Sequence, residues 1–84
     1  TYTLSFKLFS TADVLQITKA LEEKHVREVD LLKSNTTSRI YSVETKLSAM
    51  ELEEALLMNM LDAGVNVDSI RINVAKGAID VEQL

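Results

Sequence analysis

The chain contains no cysteine and no proline, and only two glycines, Gly64 and Gly77. Without cysteine it cannot form a disulfide, a zinc ribbon, a thiol nucleophile, a redox motif or a thiolate copper site. Without proline, the edges of any sheet lack one of the usual blocks against strand addition. Aromatic residues make up 5% of the chain, few for a surface that stacks nucleic-acid bases. The longest uninterrupted apolar run, Ala55 to Met58, is four residues, against the roughly 20 that a membrane helix needs. This segment is therefore not expected to insert into a bilayer. The net charge is −4 over 84 residues, and 46% of the residues are apolar. That balance favours a folded domain over a disordered tail. The length is near the size at which one core holds a fold without staples. The sequence opens at Thr1 and a strand pattern begins almost at once, as expected of a domain excised from a longer protein or of a processed chain.

What is present is an order of elements written twice. Leu4, Phe6 and Leu8 alternate with Thr3, Ser5 and Lys7, the period of a strand with one buried face. Ser10-Thr11-Ala12-Asp13 follows, with Ser10 or Thr11 as a helix cap and Asp13 in the first turn. Val14, Ile17, Ala20 and Leu21 then fall on one helical stripe that should end near His25. Val26, Val29 and Leu31 mark a second strand, with Val29 and Leu31 toward the core. Asn35-Thr36-Thr37-Ser38 reads as a hairpin turn.

The order recurs from Tyr41. Tyr41, Val43, Thr45 and Leu47 alternate, and Ser48 with Glu51 fits a capping box. A helix is expected from about Ala49 to Ala63, with Leu52, Ala55, Leu56, Met60 and Ala63 on one face. Leu57, Met58 and Leu61 widen its apolar surface beyond one sheet contact, so they either complete the core under a covering tail or form an interface. Gly64 suits the left-handed position after a helix, with Val65 closing the cap. Ile70, Ile72 and Val74 read as a fourth strand that ends at Gly77. The fold expected is α+β, a ferredoxin-like βαββαβ sandwich: a four-stranded antiparallel sheet with two helices on one face. The domain would span 1–76, with 77–84 as a tail or a short extra strand.

The search for chemistry returns structural explanations. His25 is the sole histidine, short of the ligands a transition metal needs, and suits a helix C-terminus. Glu51, Glu53 and Glu54 open a helix, where carboxylates are ordinary, and no shaped loop accompanies them. Ser34 to Ser38 have no base nearby in sequence. No catalytic residue, metal or cofactor is therefore expected, and the protein is not expected to be an enzyme. Thr3, Ser5, Lys7, Ser42, Glu44 and Lys46 should line the open sheet face, a polar surface without stacking aromatics, so no nucleic-acid partner is expected. Phe9 to Asp13 lacks the glycine-rich loop and arginine of an acylphosphatase. The remaining ligand candidate is the turn Ser10, Thr11, Ala12 and Asp13, whose backbone amides open a helix.

The order of elements, the polar open sheet face and the valines leading into the second and fourth strands resemble an ACT-type regulatory domain. More narrowly, the length, the pattern across Tyr2 to Val74 and the Thr1 start resemble the soluble C-terminal domain of the MgtC/SapB family, bacterial membrane proteins associated with magnesium limitation. The resemblance implies a regulatory domain on the cytoplasmic side of a parent with membrane helices, and self-association or docking on a partner. The ACT resemblance implies amino-acid sensing near a glycine after the first strand; here Phe9 to Asp13 has none.

Overall fold

In the computed structural model, which describes residues 1–84, two helices and five strands follow one another as β1 (Tyr2–Lys7), α1 (Thr11–Lys24), β2 (Glu28–Ser34), β3 (Ser38–Glu44), α2 (Ala49–Asp62), β4 (Ile70–Ala75) and β5 (Ala78–Gln83), with a short 3₁₀ turn at Val67–Ser69. The local signals act where expected. The Ser10 hydroxyl accepts from the Asp13 N–H at 3.2 Å, and α1 stops at His25, whose own N–H donates to the Leu21 carbonyl. Ser48 and Glu51 form both halves of the capping box at the start of α2. At its end Gly64 takes φ 82°, while its N–H reaches the Leu61 carbonyl and the Val65 N–H reaches Met60. That is a Schellman ending, and Val65 is buried to complete it. In the hairpin between β2 and β3, the Asn35 side-chain oxygen accepts from the Thr37 and Ser38 amides at 2.9 and 2.8 Å.

The strands lie in the order β2-β3-β1-β5-β4 in one sheet. The expected four-stranded antiparallel sheet is therefore corrected to a five-stranded mixed one, because residues 78–83 take the extra-strand alternative rather than the tail, and take it inside the sheet. They form β5, which inserts between β1 and β4 and runs parallel to β1. Ile79 faces Leu4 and Val81 faces Phe6 across that pairing. All four side chains are at most 1% exposed. The displaced β4 becomes an edge, with Ile70 and Ile72 half-buried and Val74 exposed. The hairpin turn Lys76-Gly77 is short, with Gly77 at φ 74°, so β4 and β5 must be neighbours. Which of them abuts β1 is decided by burial, and Ile79 with Val81 fills the central position. The signal that favours the strand over the tail is the alternation of Ile79 and Val81 with Asp80 and Glu82 directly after that turn.

One face of the sheet meets both helices. Leu4, Phe6, Tyr41, Val43, Ile79 and Val81 join Val14, Ile17, Leu21, Leu52, Leu56 and Met60 in a single core. Two further expectations change. Leu8 is not a core residue: it lies past the end of β1 at φ 64° and is exposed, while Phe9 turns inward and meets the Phe6 ring edge-to-face at 5.5 Å. The left-handed backbone at Leu8 reverses the side-chain alternation there, at a cost of roughly 1–2 kcal/mol for a residue with a Cβ. Leu31, expected in the core, is 52% exposed, because β2 is the other edge and a bulge between Leu31 and Lys33 bends it away.

Candidate functional site

The Ser10–Asp13 turn sits at the end of the sheet where β1 gives way to α1, facing the β2–β3 hairpin. Arg39, which pairs with Phe6 in the register of β3 on β1, extends its Nη2 to the Thr11 hydroxyl at 3.2 Å. A guanidinium thus stands beside the first turn of α1, where the amides of Thr11 and Ala12 carry the positive end of the helix dipole. The Ser10 hydroxyl is already engaged as the cap, and Asp13 brings a carboxylate to the same turn. The cavity behind it is lined by Phe6, Phe9, Thr11, Val14 and Asn35–Arg39, and has a volume of about 30 Å³. That holds one water and not an amino acid. The sequence located the turn but not its arginine, since Arg39 lies 28 residues away and only the pairing of β1 with β3 brings it close.

The two flanks of the helical layer differ from this end. On α2, Met58 and Leu61 remain 59% and 58% exposed. They are neighbours on the helix surface, three positions apart, with half-buried Leu57 beside them. The C-terminal segment that would have covered them is committed to the sheet as β5. Between α1 and β2, Leu15, Thr18, Lys19, Glu22, Val29 and Tyr41 line a groove of about 380 Å³. Its outer rim is closed in part by Glu22, whose carboxylate accepts from the Val29 N–H at 3.2 Å. With the bulge, this contact blunts the β2 edge that the lack of proline left open.

The open face of the sheet is polar, as the alternation implies. Cross-strand rows place Lys7 between Ser38 and Glu82, and Glu82 beside Arg71. Arg71 and Glu82 approach to 4.0 Å, an exposed pair that contributes little to stability. Of the residues expected there, Lys46 lies beyond the end of β3. His25 is half-buried at the end of α1. Glu51 is held below the ordinary carboxylate range by its hydrogen bonds with the Ser48 backbone and hydroxyl; it serves the cap, and Glu53 and Glu54 do not join it in a cluster. No three carboxylate or histidine side chains gather into a group that would hold a metal ion. No helix is long and apolar enough to cross a membrane. Asn59 is buried on α2, and its Nδ2 is a buried side-chain donor without a partner. Compared with known proteins, the chain matches no protein-family model and no curated protein.

Proposed function

We propose that the chain is a non-catalytic interaction and regulatory domain of a larger protein. In this reading the fold is a ferredoxin-like, ACT-type unit in which β5 has been added beside β1. A parent of the MgtC/SapB type, linked to magnesium homeostasis and holding this domain on the cytoplasmic side, is the family context that the resemblance suggests. The observation that carries the reading is the patch of Met58 and Leu61, which stays exposed after every segment of the chain has been placed. Flexible methionine beside leucine is a composition suited to docking. Light scattering across a wide concentration range, with a pull-down from cells that express the parent, tests it. Self-association or a captured parent that disappears in the double variant Met58→Glu, Leu61→Glu supports the reading. A strict monomer that captures no partner overturns it.

A second reading, an amino-acid sensor, is favoured by Arg39 beside the amides of Thr11 and Ala12, a pairing suited to a carboxylate. It requires the small cavity there to open. A thermal-shift screen with amino acids tests it: stabilisation lost in Arg39→Ala supports sensing, and no stabilisation at millimolar ligand removes it.

A further inference from the structure

At the end of the sheet away from the Ser10–Asp13 turn, two chain segments meet around a second cavity. His25 arrives from the end of α1, Arg27 from the connection to β2, and Glu44, Thr45 and Lys46 from the end of β3 and the loop toward α2. These five residues line a cleft of about 300 Å³ with no apolar side chain among them. Arg27 and Glu44 approach only to 3.9 Å, with the arginine side chain 81% exposed, so the guanidinium retains its donors. The Thr45 hydroxyl accepts from the Leu47 N–H at 3.1 Å, which leaves its proton free to be donated. His25, half-buried, is anchored through its backbone to Leu21 and lines the same cleft.

We propose that this cleft binds a small phosphate-bearing anion. The lining has two permanent cations against one carboxylate, in a protein whose net charge is negative. An arginine fork and an imidazole from the α1–β2 connection meet an ammonium group and a hydroxyl from the loop after β3. That arrangement suits a tetrahedral oxyanion, which accepts from several directions, better than a planar carboxylate. None of the five lining residues is hydrophobic, which disfavours a ligand recognised by an aromatic or branched aliphatic body. Glu44 balances Arg27 at 3.9 Å, and an incoming phosphate competes with it for the guanidinium. The carbonyl end of α1 works against an anion here, but its field fades within the last turn, whereas Arg27 and Lys46 touch the ligand directly. The inference is independent of the docking surface on α2, since Met58 and Leu61 take no part in the cleft.

The test is an amide NMR titration of the intact chain with inorganic phosphate and pyrophosphate at low salt, where exposed charges are least screened. Saturable shifts are expected at His25, Arg27, Thr45 and Lys46. Arg27→Ala and Lys46→Ala should each weaken binding by about tenfold, the scale of one charge-assisted hydrogen bond. Glu44→Gln should tighten it, which a merely structural contact between Glu44 and Arg27 would not do. Lys33→Ala and Arg71→Ala, which remove the same charge elsewhere, should leave it unchanged. Vesicles of phosphatidic acid in phosphatidylcholine separate the sources: a response at these residues to vesicles points to a lipid headgroup, and a response to pyrophosphate alone to a soluble phosphate. The proposal is overturned by the absence of saturable shifts with any of these probes, by shifts centred on Ser10–Asp13 and Arg39, or by equal weakening in the Lys33 and Arg71 variants.

Discussion

The two strand-helix-strand halves use the same order of elements and end in unlike places. In the first half, β1-α1-β2, the last strand forms an edge and pairs directly with β3, the strand that follows it. In the second half, β3-α2-β4, the last strand also reaches an edge, but β5 lies between it and β1. Repetition in sequence therefore fixes the local units without fixing their environments. Val26 is buried and Val29 half-buried in the first half, and Ile70 and Ile72 are half-buried in the second. The fully buried partners of β1 on that side are instead Ile79 and Val81, which lie outside the repeat. A domain boundary drawn at the end of the repeat would cut through the core.

The largest effect expected is from removing residues 77–84. Loss of β5 strips Leu4 and Phe6 of Ile79 and Val81, leaves β1 paired on one side only and leaves β4 without a partner strand, so cooperative unfolding in urea should vanish. A truncated chain that still unfolds with a sharp transition would show that the repeat is a domain by itself. Next comes the contrast between the two C-terminal strands. Ile79→Ala should cost about 2–5 kcal/mol in chemical denaturation, as a fully buried site that cannot collapse around the lost atoms. Val74→Ala, on the exposed part of β4, should stay within about 0.5 kcal/mol. Equal costs would break the assignment of β5 to the centre and β4 to the edge.

A smaller effect separates the two helices. Ser48→Ala should cost about 1 kcal/mol or more, because it removes the hydroxyl that the Glu51 amide donates to and weakens a reciprocal cap; Ser10→Ala should cost about 0.5–1 kcal/mol, since it removes a single capping contact. The smallest is a matter of pH. The folded-state pKa of Glu51 is depressed by its bonds to Ser48, so its contribution to stability is present above the unfolded-state value and is lost as pH falls through the folded value. Acid titration of stability should show a shallow loss on this limb that is reduced in Glu51→Gln. An identical acid limb in the two proteins would remove the carboxylate from the account.

The legible parts of the fold were those written in contiguous residues. Ser10, the box of Ser48 and Glu51, the Gly64-Val65 ending and the Asn35 turn each satisfy backbone groups within a few positions, so their residue types state their roles. Leu8 was misread because its alternation with Leu4 and Phe6 looks unbroken, and only the left-handed backbone before α1 sends it outward. At the candidate turn, Ser10 to Asp13 could be named from sequence, whereas Arg39 could not. The cleft of His25, Arg27, Glu44, Thr45 and Lys46 was invisible for the same reason, being split between two connections nearly 20 residues apart.

The sequence by itself determined the elements: two capped helices, the hairpin, the alternating strands and a chain without thiol chemistry. Short-range hydrogen bonding and side-chain period act over a few residues, and composition needs no geometry. Tertiary structure alone decided the strand order, the central place of β5, the exposure of Met58 and Leu61, and the meeting of Arg27 with Lys46. Each of these depends on which surfaces bury one another. A turn as short as Lys76-Gly77 makes β4 and β5 neighbours but leaves open which one abuts β1, and that choice is set by the apolar area that Ile79 and Val81 remove from water against Leu4 and Phe6.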